Sequence, residues 1–188
     1  MGILEELKNE VAGCVRCPEL VKSRSRTVFG DGNILSGVIM VGEAPGEDED
    51  RQGIPFVGRA GQLLTDSLGK IGITRQNYFI TNLLKCRPPS NRDPAEDEVL
   101  NCRGFLAAQI TIMKPKIVVT LGRFGMHELI KKDLKISEVH GKPIRSKDGM
   151  IFFPMLHPSA ALRRVEFREG FELDVQKLRK LLEREGLL

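Results

Sequence analysis

Three apolar runs stop at a residue that can do chemistry: "VIMVG" is followed by Glu43, "YFITN" closes on Asn82, and "MIFFPML" is followed by His157. A carboxylate, a carboxamide and an imidazole brought together offer a charge, a paired donor and acceptor, and a group that donates or accepts a proton. Open α/β sheets bind ligands just beyond the carboxyl ends of their strands, so an apolar run closed by Gly42 puts Glu43 where such sites are built. The same stretch continues "EAPGEDEDRQGIPFVG". Its acidic run, Glu47, Asp48, Glu49 and Asp50, reads mostly as a solvated loop. Phe56, between Gly53, Pro55 and Gly58, reads as an apolar ring suited to a pocket wall.

The second constellation is sulfur. Cys14 and Cys17 form a C-x-x-C pair, and Cys86 in "KCRPP" and Cys102 in "NCRG" complete a set of four. In an intracellular chain such a pair is more often a metal or redox motif than a disulfide. Zinc and iron-sulfur centres both accept four thiolates. The wide spacing of Cys86 and Cys102 leaves both open, together with ordinary buried thiols.

These residues need a scaffold, and the chain alternates strand-like and helix-like segments with no composition break or repeat. That predicts one doubly wound α/β domain over residues 1–188. Ile3, Leu4, Leu7 and Val11 line a first helix. Helices are also predicted over "AGQLLTDSLGKIGI", over "PAEDEVLNCRGFLAAQITIM" with Asp93 as its cap, over "FGMHELIKK" and over "ELDVQKLRKLLERE". "KIVVTLG" is a third strand, and "KPIRS", "KDG" and "MIFFPML" form a hairpin that ends at "HPSAALRR".

Composition narrows the function classes. Hydrophobic residues make up 41% and charged residues 29%, no apolar run reaches the length of a membrane span, and "MGILEELKNE" is acidic where a signal peptide is basic. An intracellular, cytoplasmic protein is expected, associated with the nucleoid if it acts on DNA. The net charge of +4 permits a polyanionic partner without requiring one. The basic clusters "KSRSR", Lys85 with Arg87, Lys131 with Lys132, and Arg163 with Arg164 are dispersed, so only the fold can gather them.

Taken together and in order, "VGEAPGEDEDRQGIPFVGRAGQLL", "YFITNLLKCRPPSNRDP", "HPSAALRR" and the four cysteines resemble the family 4 uracil-DNA glycosylases, the iron-sulfur type common in archaea and thermophilic bacteria. The resemblance runs from Cys14 to about Arg164. It implies a three-layer α/β/α sandwich around a four-stranded parallel sheet, and a 4Fe-4S cluster on Cys14, Cys17, Cys86 and Cys102. It also implies a DNA repair enzyme that flips uracil out of single- or double-stranded DNA and hydrolyses the N-glycosidic bond, leaving an abasic site and free uracil.

On that resemblance Phe56 lies under the flipped base and Asn82 reads its edge. His157 donates to uracil O2 as charge gathers there, helped by backbone amides near Ala44. Glu49 obstructs a thymine methyl at C5. The best-known uracil glycosylase family carries an aspartate two residues after the strand-end glycine; here Ala44 fills that position, and Glu43 is the nearest carboxylate to orient water or stabilise the sugar cation. Leu162 is the expected wedge into the vacated stack, with Arg163 and Lys85 on DNA phosphate. The chain is expected to work as a monomer, with replication or repair proteins as further partners. An electron-transfer protein or a non-catalytic nucleic-acid-binding domain are the competing classes, but the first does not need Glu43, Asn82 and His157, and the second needs only the basic clusters and Phe56.

Overall fold

Every residue of Val38–Gly42 (β2), Phe79–Asn82 (β3) and Ile117–Leu121 (β4) is buried, as expected of strands covered on both faces. In the computed structural model, which describes residues 2–188, these strands and Ile151–Met155 (β6) form the parallel centre of a sheet. Two-residue antiparallel strands, Asp31–Gly32 (β1) and Ile144–Arg145 (β5), close its edges, giving the order β1-β3-β2-β4-β6-β5. The connection from β2 leads to one neighbour and the next connection crosses to the other side. That reversal of strand order places a crevice beyond the carboxyl end of β2.

Alternate residues of the strands enter different cores. Val38, Met40, Val119, Phe153 and Met155 pack with Leu64 and Leu68 of Arg59–Gly69 (α4) and with Phe171, Val175 and Leu178 of Val165–Arg184 (α9). Ile39, Val41 and Val118 pack on the opposite face with Leu106 of Glu96–Met113 (α5) and with Phe124 and Leu129 of Arg123–Leu129 (α6). The result is the three-layer α/β/α sandwich. A third cluster joins Leu7 and Val11 of Ile3–Ala12 (α1), Leu20 of Pro18–Ser23 (α2), and Leu84, Cys86, Cys102 and Phe105. No helix is long and apolar enough to cross a membrane.

Several local expectations are corrected. The acidic run is a helix, Glu47–Gln52 (α3): four carboxylates sit in its first turn, where the helix dipole favours them, and Asp50 is buried, accepting from the Ser25 N–H at 3.0 and 2.9 Å. The cap of α5 is Ala95 rather than Asp93; the Glu98 carboxylate reaches back to the Ala95 N–H, while Asp93 pairs with Arg123. The last helix begins at Val165, earlier than expected, because Phe171 belongs to the first core. Helices α2, Ile136–Val139 (α7) and Pro158–Ala161 (α8) are too short for periodicity to reveal.

One bond fixes the segment that follows β6. Asp174 of α9 is fully buried; its carboxylate accepts from the Leu156 N–H at 3.0 Å and meets His140 Nδ1 at 2.9 Å. Asp174→Ala leaves the Leu156 N–H, next to His157, without its partner, so urea denaturation is expected to show a loss of about 1–3 kcal/mol. Asp174→Asn, which keeps an acceptor, is expected to lose less.

Candidate active site

Beyond the ends of β2, β3 and β6 lies a cleft of about 500 Å³ lined by Glu43, Ala44, Glu49, Phe56, Asn82 and His157, with exposed Arg163 on its rim. The structure thus gathers most of the residues singled out from the sequence. Leu162, 39% exposed, stands outside the lining at the end of α8.

Gly42 and Asn82 are register partners across β2 and β3. Gly42 is required there: a Cβ would collide with both Asn82 Oδ1 and the tip of the Phe56 ring. Asn82 is buried, and its Oδ1 has no hydrogen-bond partner among the described residues. Beneath it, the Asn82 carbonyl accepts from Lys85 Nζ at 2.7 Å.

Lys85 is therefore not a phosphate contact. It is 1% exposed, and its ammonium also donates to Thr81 Oγ1 and Gln109 Oε1, both at 2.7 Å. Burial pushes its pKa down to about 7, against the pull of Cys102 and Cys86. A strand-end lysine beside a proline-rich loop looks surface-bound in sequence; the buried acceptors that hold it come from elsewhere in the fold.

Phe56 has φ +56°, a left-handed conformation that is an outlier for a bulky side chain. Glu49 holds the chain just after it: Oε1 accepts from the Val57 and Gly58 N–H groups at 2.9 and 2.8 Å, and Oε2 from the Gly46 N–H at 3.1 Å. Both carboxylate oxygens are thus engaged with the main chain while the residue still borders the cleft. Helix α4 presses from behind, where a Cβ on Gly61 would overlap the Phe56 main chain. The Phe56 and His157 rings lie 6.1 Å apart, tilted by 38°.

His157 caps α8. Its Nδ1 accepts from the Ser159 N–H at 3.1 Å and meets Ser159 Oγ at 2.7 Å. An Nδ1 that accepts leaves the ring proton on Nε2, so the neutral imidazole offers the cleft a donor. Burial, with Arg163 adding to it, pushes the pKa of His157 down to about 4. Burial drives Glu43 the other way, up to about 7; Asp93 raises it further, and Arg123 and Arg163 oppose the rise. Ser159 was not expected from the sequence; its signal is the Ser two residues after a helix-capping histidine.

The four cysteines meet beside this cleft. All are free thiols that border one narrow gap, about 10 Å³ in volume, between α1, α2, the segment after β3 and α5. Arg24 Nη1 donates to Cys86 Sγ at 2.9 Å, the Lys85 N–H to Cys102 Sγ at 3.3 Å, and Asn101 Nδ2 to Cys17 Sγ at 3.6 Å. Burial raises the pKa of Cys17 and Cys86 and takes Cys102 up to about 11. Among the described residues, no three His, Cys, Asp or Glu side chains converge as the ligands of a single metal ion would.

Comparison with known proteins places this geometry. Residues 29–179 match the model of the uracil DNA glycosylase superfamily. The chain is 44% identical to a type-4 uracil-DNA glycosylase of Sulfurisphaera tokodaii, over 96% of this chain and 86% of that one. It is 43% identical to the type-4 enzyme of Saccharolobus solfataricus, over 97% and 88% of the two chains, and 40% identical to that of Thermotoga maritima, over 98% and 97%. A parallel sheet that delivers a carboxylate, a carboxamide and a histidine to one cleft, and a sequence shared with these enzymes over nearly its whole length, make the chain a member of the uracil-DNA glycosylase superfamily.

Proposed function

We propose that this protein excises uracil from DNA by extruding the nucleotide into the cleft and hydrolysing its N-glycosidic bond. The observation that carries the reading is Asn82 Oδ1, a buried acceptor with no hydrogen-bond partner among the described residues. Such an atom costs about 1–3 kcal/mol when left unpaired, and uracil N3–H is the donor it lacks. The amide nitrogen of the same side chain then serves uracil O4. Cytosine presents the opposite polarity at both atoms, so it leaves buried groups unpaired and is rejected.

The remaining residues follow from the reaction. Phe56 stacks on the base, and Glu49 borders the side that a thymine methyl would occupy. As the C–N bond breaks, negative charge gathers on uracil O2, and the His157 Nε2–H and amides near Ala44 stabilise it in the transition state. Glu43, as a carboxylate, orients water or stabilises the developing sugar cation. Leu162 fills the vacated stack while Arg163 grips phosphate. One chain supplies every group in this scheme, so a monomer suffices.

A 4Fe-4S cluster fits the four cysteines. They surround a gap rather than a point, and N–H groups already face three of the sulfurs. When bound, the cluster would supply a cross-link among the α1–α2 turn, the segment that follows β3 and helix α5. Anaerobically purified protein is expected to contain iron and acid-labile sulfide, and Cys102→Ser to lose both; stoichiometric zinc without iron would overturn the assignment.

Asn82→Asp tests the edge reading. It deletes the donor to uracil O4, so single-turnover excision of uracil is expected to fall, and a weak excision of cytosine to appear that improves as pH is lowered. A folded, iron-loaded Asn82→Asp protein that excises uracil at the parental rate would refute the reading.

The pH profile tests Glu43. Its acid form prevails below about 7, so the single-turnover rate is expected to fall about tenfold per unit below that value and to level off above it. His157, neutral above about 4, adds no second break from pH 5 to 9. Glu43→Gln is expected to lower the rate and flatten the profile.

A further inference from the structure

The strained backbone of Phe56 has a second restraint, outside the cleft. Arg75 lies between α4 and β3, and its Nη2 donates to two successive carbonyls, Pro55 O at 3.1 Å and Phe56 O at 3.2 Å. The guanidinium lies over the Tyr78 ring, 5.6 Å from its central carbon, while Nη1 is buried without a hydrogen-bond partner among the described residues and has the Asp31 carboxylate of β1 as an ion-pair neighbour at 3.9 Å. Arg75 is not among the residues that line the cleft. Arg75 and Glu49 grip the same turn, and hold the Phe56–Val57 peptide from both ends, Arg75 at its carbonyl and Glu49 at its N–H.

We propose that Arg75 is a positioning residue that locks Phe56 in its left-handed conformation and so sets the ring at the height needed to stack on the extruded base. Left-handed backbone at a bulky residue persists only where the surroundings over-determine it, and it recurs at ligand clamps. Nη2 carries two N–H groups, one for each carbonyl, and the guanidinium plane lying over the Tyr78 ring fixes their direction; a lysine ammonium has no plane to fix and does not reproduce it. The inference rests on reading Phe56 as the stacking ring, and the test separates the two.

The test is a double-mutant cycle between Arg75→Met and Phe56→Gly in the full, iron-loaded protein. Excision of uracil is read in single turnover, and inhibition by free uracil is read alongside it. Glycine adopts a left-handed φ without penalty and carries no ring, so it removes what Arg75 is proposed to hold. In the parent, Arg75→Met is expected to slow excision by about 10- to 100-fold, the scale of a misplaced contact group, and to weaken free-uracil inhibition. In the Phe56→Gly background it is expected to add no more than about twofold, the usual limit of additivity. Arg75→Lys should recover only part of the loss, and it replaces Arg75→Met in the cycle if that variant does not fold. Equal losses in both backgrounds, or no loss in the parent, would overturn the assignment of Arg75 alone. Parental excision by Phe56→Gly would remove the stacking role, and the assignment of Arg75 with it.

Discussion

The buried ammonium of Lys85 is the interaction on which both halves of the site depend. A charge withdrawn from water is costly unless it is fully hydrogen-bonded, and Nζ meets three acceptors: Thr81 Oγ1, Asn82 O and Gln109 Oε1. Those acceptors are themselves held, since Thr81 Oγ1 and Gln109 Nε2 both donate to Phe29 O, in the segment before β1. The lysine thus ties the end of β3, helix α5 and the entry to the sheet into one polar network under Asn82. Its backbone N–H faces Cys102 Sγ, and Cys86 is the next residue. Whatever fixes those sulfurs also fixes the turn that presents Asn82, which is a physical reason for four cysteines to stand beside the cleft.

Across the cleft the constraint is strain rather than charge. Phe56 sits in a conformation its side chain disfavours, and the turn that bears it is gripped by Glu49 in front and backed by α4 behind. The left-handed turn carries the ring over Gly42 to the oxygen of Asn82; with any larger residue at position 42, ring and carboxamide could not converge. Glu49 thus has two places in the site, as a residue that borders the cleft and as the anchor of the main chain just after Phe56.

How much of this was legible in the sequence depends on the range of the cause. The buried strands, the placement of Glu43, Asn82 and His157 at their ends and the four cysteines follow from local pattern, and the order of motifs carried the family. Lys85 did not: its burial depends on Gln109 and on the Phe29 segment, distant in the chain. The acidic run also misled, because Asp50 is drawn inward by the Ser25 N–H and a helix dipole rewards the carboxylates around it. The left-handed φ of Phe56 has no sequence signature at all, since the residue type argues against it.

Charge placement at the rim completes the site. The same cation, Arg163, lowers the pKa of Glu43 and of His157. For a carboxyl group that favours the charged form, and for an imidazole the neutral one. Burial alone would favour a neutral carboxylic acid beside a neutral imidazole. Arg163 with Arg123 pulls Glu43 back toward its carboxylate while Arg163 reinforces the neutrality that Ser159 already imposes on His157. A carboxylate beside a neutral Nε2–H donor is the pair the proposed reaction uses, negative where the sugar becomes cationic and a proton donor where the leaving base becomes anionic. In the proposed scheme Arg163 also meets a DNA phosphate, which would withdraw part of that bias and couple rim contact to the ionisation of Glu43 and His157.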